Sequence, residues 1–576
     1  MKRCPTCNRI EADDALVFCR ADGTGLVSDL GSVSADAGTM KFGSAHSTEI
    51  ETSILPHSTD LNVNRATAPT TVLSAQPLAS RTRELTISNR LQVLIAGGLL
   101  VAALCAAVGY FYLTRKENQT IQSLAVMPFV NASGNADVEY LSDGLTESLI
   151  NSLSRLPDLS VKARSTVFRY KGQDISPQQA GSDLSVQAVL NGRVVERGDQ
   201  LTVSVDLVNA RTGNQIWGQQ YNGKVSDAVS LQTQMANELS RRLQTTVSRE
   251  DQAKLSKGST TNPDAYLLYL KGQYQTAKYT KEGVSKGRDY LEQAISLDPL
   301  YALAYAGLAV NYIAASDWYM PSKEALAKTE AAARKALALD DQLSEAHTSL
   351  AIARWWYAWD WSGAEAEFKR AIELNPNDAR AHEFYGWFLV NSGRQETALA
   401  ENNRARQLDP LSSETNTIVG QTLYFLRHYD EAVAQLKSTL DMDQSYWLAH
   451  SFMGRTYEQQ GKLTEAIAEF QRAVDLENDV AENYSMLAHA YGLTGKKSEA
   501  QKVLAQLQDM SAKRYVPPYN IAIAYVGLGD KDQAFAWLER AYADRSFYIT
   551  WLKYDPQLDS LRSDLRFADL VRRVGL

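Results

Sequence analysis

At 576 residues the chain exceeds what one hydrophobic core can organise, and at roughly 150 residues per domain it predicts about three or four units. Its 44% hydrophobic and 22% charged residues exclude wholesale disorder, and its four cysteines exclude a disulfide-stapled secreted scaffold. A formal net charge of −8 argues against nucleic acid as the main partner, because such a partner needs a basic face.

Three cysteines and an aspartate near the N-terminus have the spacing of a zinc site. Cys4 and Cys7 form one pair, and Cys19 and Asp22 repeat its spacing. Two such knuckles across a short hairpin can present four ligands tetrahedrally to Zn²⁺, with thiolate sulfurs at about 2.3 Å. Residues 1–27 resemble the small zinc ribbons of bacterial proteins, in which a fourth cysteine usually stands where this chain has Asp22. We expect a structural zinc ion; the alternative is a ribbon-derived hairpin that holds no metal.

A polar linker precedes a long apolar segment. Residues 28–89 are rich in Ser, Thr, Ala and Pro without a sustained period, which is typical of a flexible tether. Residues 91–113 contain no charged side chain, and as a helix they would cover about 35 Å. That length exceeds the roughly 30 Å hydrocarbon core of a bilayer. The sequence therefore predicts one transmembrane helix rather than a buried core helix.

The charges that flank the predicted span indicate its orientation. Basic residues are slightly more frequent before the span than after it: Arg81, Arg83 and Arg90 against Arg115 and Lys116. Because positive charge favours the cytoplasmic side, we expect a single-pass inner-membrane protein with a cytoplasmic N-terminus and an extracytoplasmic C-terminal part. Small residues recur every four positions in the span, at Gly98, Ala102 and Ala106, a pattern that would also allow two chains to form a homodimer there.

Residues 120–247 read as one α/β domain. The apolar run 123–130 predicts a buried strand, residues 142–156 have helical spacing, and residues 159–163 suggest the next strand. Farther on, β-branched alternation is broken by Arg197-Gly198-Asp199 and Thr212-Gly213-Asn214, which predicts a three-stranded meander. A helix over residues 227–243 is expected to close the domain.

The stretches SLAVMPFVNASGNADVEYLSDGLTESLINSL and VLNGRVVERGDQLTVSVDLVNARTGNQIWGQQY resemble the TolB-amino-terminal-like (FlgO-like) domain. That domain is found between a membrane span and tetratricopeptide repeats in bacterial signalling proteins. Its relatives often carry a nucleotide cyclase, a kinase or a winged-helix DNA-binding domain on the other side of the membrane. We recognise none of these in residues 1–89, so the resemblance implies a non-catalytic accessory or sensor module.

The C-terminal half repeats with a period of 34 residues. Small residues recur at Ala364, Ala398, Ala432, Ala466, Ala500 and Ala534, and twelve positions before three of them at Gly386, Gly420 and Gly454. A turn position five before the first series reads Gly393, Arg427, Gly461, Gly495 and Gly529, and a position four after it includes Phe368, Leu436 and Phe470. Paired helices approach closely where small residues meet a large neighbour, and glycine allows the sharp reversal between them.

These series match the tetratricopeptide repeat (TPR). We expect an all-α solenoid of about eight repeats over residues 262–545, closed by a C-terminal capping helix over residues 546–576. The third repeat is one residue longer than the period, and we interpret its tryptophans, Trp355, Trp359 and Trp361, as packing residues rather than a ligand cage.

The first helices of a TPR solenoid line an inner groove that usually holds a peptide or helix of another protein. Projecting the register predicts eight groove residues: Arg380, Trp387, Asn391, Gln421, Tyr424, Arg455, Glu458 and His489. Their mixed charges favour no uniform clamp for a C-terminal carboxylate. The alternative is that they are ordinary solvated residues on a groove that binds little.

The chain is thus expected to be multidomain, with a zinc-ribbon-like hairpin, one transmembrane helix, a TolB-like α/β domain and a TPR solenoid. No phosphate-binding loop, kinase catalytic loop, HExxH or GxSxG motif is found, so we expect a scaffold or adaptor rather than an enzyme. The alternative is a membrane-bound transcriptional or signalling regulator that acts through the zinc ribbon. Acidic and basic residues cancel in residues 1–27, so nucleic-acid binding is not expected.

Overall fold

The structure is a computed structural model that describes residues 2–3, 10–11, 27–28, 121–156, 158–243 and 260–576. It divides into two units, Met1–Cys105 and Ala106–Leu576. In the first unit β1 (Lys2–Arg3) pairs antiparallel with β2 (Ile10–Glu11) and with β3 (Val27–Ser28).

Several predictions fall on residues that the structure does not describe. The zinc ligands Cys4, Cys7, Cys19 and Asp22, the linker beyond Ser28 and the apolar segment 91–113 lie outside the described residues. In the part of the chain that is described, no helix combines the length and apolarity needed to cross a membrane. Nor do three or more potential metal-ligating side chains come together among those residues.

The second unit begins with a mixed α/β domain whose sheet has the order β6-β4-β7-β8-β9. Strand β4 (Ser123–Val126) is parallel to both β6 (Ser160–Val161) and β7 (Ala188–Arg197), and β5 (Val130–Asn131) also pairs with β7. Strands β7, β8 (Gln200–Asn209) and β9 (Gln215–Lys224) form an antiparallel meander, as predicted. Its two reversals use Gly198 and Gly213, both at positive φ, which glycine adopts without strain.

Four helices cover the sheet. They are α1 (Glu139–Ser154), α2 (Arg164–Phe168), α3 (Pro177–Leu184) and α4 (Ala228–Arg242). The first and last correspond to the predicted helices, whereas α2 and α3 were not predicted. Both are short, with five and eight residues, so too few turns are present for a helical period to stand out from the sequence.

Eight consecutive helix pairs follow within residues 263–543. Their bounds are α5 (Pro263–Thr276) and α6 (Lys281–Leu297), α7 (Ala302–Ala315) and α8 (Ser322–Leu339), α9 (Ser344–Ala353) and α10 (Trp361–Leu374), α11 (Ala379–Asn391) and α12 (Gln395–Leu408), α13 (Ser413–Phe425) and α14 (Tyr429–Met442), α15 (Trp447–Gln459) and α16 (Leu463–Leu476), α17 (Ala481–Leu493) and α18 (Lys497–Lys513), and α19 (Pro518–Leu528) and α20 (Lys531–Ala543).

The repeated small residues lie where the two helices of a pair touch. A β-carbon on Gly420 would be 2.7 Å from Leu436, and one on Gly454 would be 2.6 Å from Phe470. Any larger side chain at these positions would push the helices apart, which explains the series found in the sequence.

The third pair absorbs its extra residue in a π-helical turn, Arg354–Ala358, followed by Trp359 at φ +57°. Its tryptophans have different surroundings. Trp355 is fully buried in the core, Trp359 packs on Tyr542 of the eighth pair at 5.0 Å between ring centroids, and the Trp361 Nε1–H donates to the Val574 carbonyl at 3.3 Å. The third pair therefore contacts the C-terminal end of the chain, and the tryptophans serve as packing residues.

The C-terminal segment is not the single helix expected over residues 546–576. Two 3₁₀ turns, Phe547–Trp551 and Pro556–Leu561, precede the ten-residue helix α21 (Leu565–Val574), which packs on α20. Pro556 lacks the amide hydrogen that a continuous helix needs and begins the second turn instead.

The α/β domain packs directly on the helix pairs. The Asn377 Nδ2 group, between α10 and α11, donates to the backbone carbonyls of Ser154 (3.1 Å) and Leu159 (2.7 Å). The backbone N–H of Ala163 donates to the Leu408 carbonyl at 3.1 Å.

A second set of contacts surrounds Asp409, which is buried between α12 and α13. The hydroxyl of Thr166 donates to its Oδ1 at 2.6 Å, and Ser165 also donates to this carboxylate. In return the Leu411 N–H donates to Thr166 Oγ1 at 2.9 Å. We call the contacts of residues 154–169 with residues 375–377 and 407–413 the junction.

Candidate functional site: the inner face of the helix pairs

The first helices of pairs four to eight present one continuous face, formed by α11, α13, α15, α17 and α19, which we call the inner face. The chain's own residues 547–561, here called the tail segment, lie along it. Backbone-to-backbone hydrogen bonds of the tail segment, such as Leu552 N–H to Ile549 C=O and Leu558 N–H to Asp555 C=O, stay within residues 546–564. Side chains therefore make its contacts with the inner face.

Aromatic side chains anchor the first half of the tail segment. Trp551 is 4% exposed, stacks on Phe425 with ring centroids 4.2 Å apart, and meets the edge of Trp387 at 6.0 Å. Phe547 stacks on Trp356 at 4.8 Å. Such pairs add to the free energy of burial because their quadrupoles are complementary.

Asp555 lies between two buried tyrosines. The Tyr519 hydroxyl donates to its Oδ2 at 2.8 Å, and the Tyr424 hydroxyl donates to its Oδ1 at 3.4 Å. Burial and the charge of Asp555 raise the pKa of both tyrosines well above the ordinary value. They therefore act as fixed donors to the carboxylate at all physiological pH values.

Gln557 inserts beside Glu458 and His489. The Gln557 Nε2 group donates to Glu458 Oε1 at 3.2 Å, while His489 Nδ1 lies 2.9 Å from Glu458 Oε2. Both oxygens of this buried carboxylate thus have partners, as a buried charge requires.

Glu482 bridges the inner face and the start of the tail segment. Arg455 Nη2 donates to Glu482 Oε1 at 2.8 Å, and the Tyr548 hydroxyl donates to Glu482 Oε2 at 2.8 Å. Burial disfavours the charged guanidinium, but Glu482 and Asp555 outweigh that cost and raise the pKa of Arg455. Arg455 is therefore a permanent cation beneath the tail segment.

Arg427 binds the second half of the tail segment. Its Nη1 and Nη2 atoms lie 2.7 and 2.8 Å from the two carboxylate oxygens of Asp559, a bidentate pair. Burial alone would raise the pKa of Asp559, but Arg427 and Arg562 together lower it below the ordinary value. Arg427 takes φ +64° at the turn position where neighbouring pairs have glycine, such as Gly461 at +74°.

Asp317, in the loop between α7 and α8, secures the beginning of the tail segment. Its Oδ2 accepts from the Ser546 hydroxyl (2.8 Å) and the Phe547 N–H (2.9 Å), and its Oδ1 accepts from the Tyr515 hydroxyl (3.0 Å). Burial raises the pKa of this carboxyl despite the hydrogen bonds, which favour the charged form.

The predicted groove residues thus line a face that is occupied by the chain itself. Four of the eight contact the tail segment directly: Trp387, Tyr424, Glu458 and His489. Arg455 reaches it through Glu482, while Asn391 and Gln421 are buried and have side-chain atoms without hydrogen-bond partners in the structure. Arg380 is half-buried, with its Nη1 3.5 Å from the Tyr279 hydroxyl.

The repeat pattern missed the side chains that the tail segment contributes, chiefly Trp551, Asp555 and Asp559. It also missed Asp317 and Glu482. One signal was available, because Arg427 is the single departure from glycine in the turn series 393–529. A residue that accepts a left-handed conformation without being glycine indicates a compensating contact, here with Asp559.

Family models match three parts of the chain. Residues 119–246 match the second domain of HilA/YgeH-like transcriptional regulators. Tetratricopeptide repeat models match residues 350–413, 420–480 and 519–543, which confirms the predicted repeats. The TolB-amino-terminal-like assignment of the α/β domain stays a prediction.

Curated relatives share the chain only in part. A Rhizobium meliloti (strain 1021) protein named "Putative adenylate cyclase 3" is 28% identical over 238 residues, 41% of this chain and 40% of that protein. The transcriptional regulator HilA of Salmonella typhimurium (strain LT2) is 22% identical over 284 residues, 49% of each chain. The chain therefore spans less than half the length of these relatives.

Solved TPR proteins are also similar to the helical part. The crystal structure of YrrB, described as a TPR protein with an unusual peptide-binding site, is 22% identical and has a TM-score of 0.26. The match covers 35% of this chain and 98% of that one. From the comparisons and the structure together, the chain is a multidomain protein with an α/β domain followed by tetratricopeptide repeats.

Proposed function

We propose that this chain is a membrane-anchored, non-catalytic scaffold that binds a protein or peptide partner through the inner face of its repeats, in signalling or envelope assembly. One observation carries the proposal. The inner face already holds a polypeptide segment, the tail segment, through side chains of five consecutive helix pairs. TPR solenoids present such surfaces for partner recognition.

The predicted groove residues have distinct roles in this proposal. Trp387 and Tyr424 supply an aromatic and a hydroxyl contact, Glu458 and His489 supply polar contacts, and Arg380 supplies a cation near Glu383 and Glu414. Asn391, Gln421 and Arg455 complete the face. The junction supports the scaffold role, since it ties the α/β domain to pairs three to five.

The proposal is tested by affinity capture from membranes with the full chain as bait. Arg380→Ala is expected to weaken capture of a specific partner, because it removes a half-buried cation at the start of α11 from the predicted groove. Arg334→Ala is the matched control, since Arg334 pairs with Glu330 on the exposed side of α8. Identical partner sets and yields for wild type and Arg380→Ala contradict binding at this face.

The anchor and the metal site belong to the same proposal. Residues 91–113 would span the inner membrane once, with the N-terminus cytoplasmic, the repeats extracytoplasmic and pairing of two chains through the span allowed. Cys4, Cys7, Cys19 and Asp22 would hold a structural zinc ion. Protease accessibility in sealed vesicles tests the orientation, and loss of stoichiometric zinc in Cys19→Ser tests the metal site.

A second candidate is a transcriptional or signalling regulator that acts through the N-terminal ribbon. The match of residues 119–246 to the second domain of HilA-like regulators favours it. Salt-sensitive, sequence-dependent DNA binding by the full chain in a gel shift would support this candidate over the scaffold. The non-catalytic assignment is tested by assaying the full chain for cyclic nucleotide formation, because one relative is named an adenylate cyclase.

A further inference from the structure

The contacts of the tail segment follow a regular spacing. Trp551, Asp555 and Asp559 are four residues apart, and each is bound at a different place on the repeats. The aromatic ring packs on α11 and α13, the first carboxylate is held by α13 and α19, and the second by the turn after α13. Because each contact depends on a particular side chain, the face distinguishes one sequence from another.

The inner face selects an occupant with an acceptor between Tyr424 and Tyr519. Tyr424 and Tyr519 are almost completely buried, and Asp555 is the hydrogen-bond acceptor for both hydroxyls. An occupant that covers this place without supplying an acceptor would leave two buried hydroxyls without partners, at a free-energy cost comparable to a lost hydrogen bond each.

Three of the predicted groove residues have buried polar atoms without hydrogen-bond partners. The Trp387 indole N–H, both amide atoms of Asn391 and the Gln421 Oε1 atom are buried without hydrogen-bond partners. Native structures contain few such groups, since each costs free energy. Trp387 contacts the tail segment through Trp551, so an occupant with an acceptor beside the Trp387 indole would form a bond that the tail segment leaves unmade.

From these observations we infer that the inner face recognises a segment folded into short 3₁₀ turns, with an aromatic residue, a carboxylate four positions later and a second carboxylate four positions after that. The tail segment is its resident occupant. A protein partner with the same pattern binds by displacing the tail segment. This inference rests on the proposed scaffold function and names the chemistry of its partner.

Displacement is opposed by the covalent connection of the tail segment. A tethered ligand has an effective concentration on the order of millimolar, so a free peptide competes poorly with it. Ile549, Leu552, Leu558 and Leu561 are also fully buried and must be replaced by apolar groups of the partner. The scaffold is therefore closed until a segment of matching chemistry arrives at high local concentration.

The test uses the full chain and a fluorescein-labelled synthetic peptide with the sequence of residues 546–563. A tail-loosened variant carries Trp551→Ala, Asp555→Ala and Asp559→Ala, which leaves the inner face unchanged. We expect it to bind the peptide about tenfold or more tightly than the wild-type chain does. A control peptide with alanine at the same three positions should not bind.

A milder variant keeps the inference testable if the triple variant does not fold. Arg427→Gly removes the contact with Asp559 but places glycine at a left-handed position, as in the neighbouring pairs. We expect faster amide hydrogen exchange in residues 553–561 with an unchanged circular dichroism spectrum. Unchanged exchange there overturns the inference.

Two results with the peptide would also overturn it. In one, the folded triple variant fails to bind; in the other, it binds the control peptide equally well. These measurements need no cellular partner. Failure of affinity capture together with specific peptide binding would count against the proposed function alone, and the reverse result would count against this inference alone.

Discussion

The repeats hold two other parts of the chain, the α/β domain at the junction and the tail segment on the inner face, by different kinds of contact. At the junction, backbone groups take part on both sides, as in the bond from Ala163 N–H to the Leu408 carbonyl. On the inner face, within the described residues, no backbone group of the helix pairs bonds to the tail segment. The contacts there depend on side chains such as Tyr519 and Arg427.

The two kinds of contact have different consequences for the α/β domain and for the tail segment. Every residue except proline supplies a backbone donor and acceptor, so the bond between Ala163 and Leu408 does not depend on side-chain identity, and the side-chain bonds of Asn377 and Thr166 add to it. Side-chain contacts exist only with the correct partner side chain, so the tail segment is recognised by its sequence. The junction should therefore behave as one rigid part with the repeats, and the tail segment as a ligand.

The largest expected effect comes from removing the aromatic anchor of the tail segment. Trp551→Ala should lower the free energy of unfolding by about 3–5 kcal/mol, because it leaves a cavity against Phe425 and Trp387. Leu565→Ala is the control, since Leu565 is 88% exposed and should change stability by less than about 0.5 kcal/mol. Chemical denaturation measures both, and equal values would show that Trp551 contributes nothing to the inner face.

A smaller effect is expected at the junction. Asn377→Ala leaves two buried backbone carbonyls, those of Ser154 and Leu159, without this donor and should cost about 1–3 kcal/mol. Because the junction and tail segment share no partner, the double variant with Trp551→Ala should lose the sum to within about 0.5 kcal/mol. A large coupling energy would mean that the two interfaces are not separate.

The smallest effect concerns an ion pair between neighbouring helix pairs. Hydrogen bonds from Arg394, at 2.7 and 3.0 Å, lower the pKa of Glu365 to about 2. Since the folded-state pKa lies below the unfolded value of about 4.3, this stabilisation is present above that pH and disappears as the pH falls toward about 2. The stability difference between wild type and Glu365→Gln should therefore shrink over that range, as measured by denaturation at several pH values. A difference independent of pH contradicts the assignment.

Much of the fold could be predicted because it follows regular patterns. The 34-residue period placed the helix pairs, and alternating β-branched residues with glycine turns placed the meander. The sequence of the tail segment contains no comparable periodic pattern. Its buried residues at 549 and 552, and again at 558 and 561, are three apart, a spacing that fits an α-helix as well as a 3₁₀ turn.

The repeat pattern predicted residues of the inner face but did not predict the segment that lies on it. The structure places Trp387, Tyr424, Glu458 and His489, which the repeat register assigned to the groove, in contact with the tail segment, and their role in partner binding stays a prediction. The occupant of the inner face could not be predicted, because a periodic pattern describes how pairs stack and carries no information about a non-repeating segment that folds back on them.

Native-state hydrogen exchange of the full chain tests most directly whether the tail segment is a separable ligand. We predict that the tail-segment amides, such as those of Leu552 and Leu558, exchange through a local opening. The Ala163 amide at the junction should exchange only when the repeats themselves unfold. Equal opening free energies for these amides, or a junction that opens first, would contradict the account.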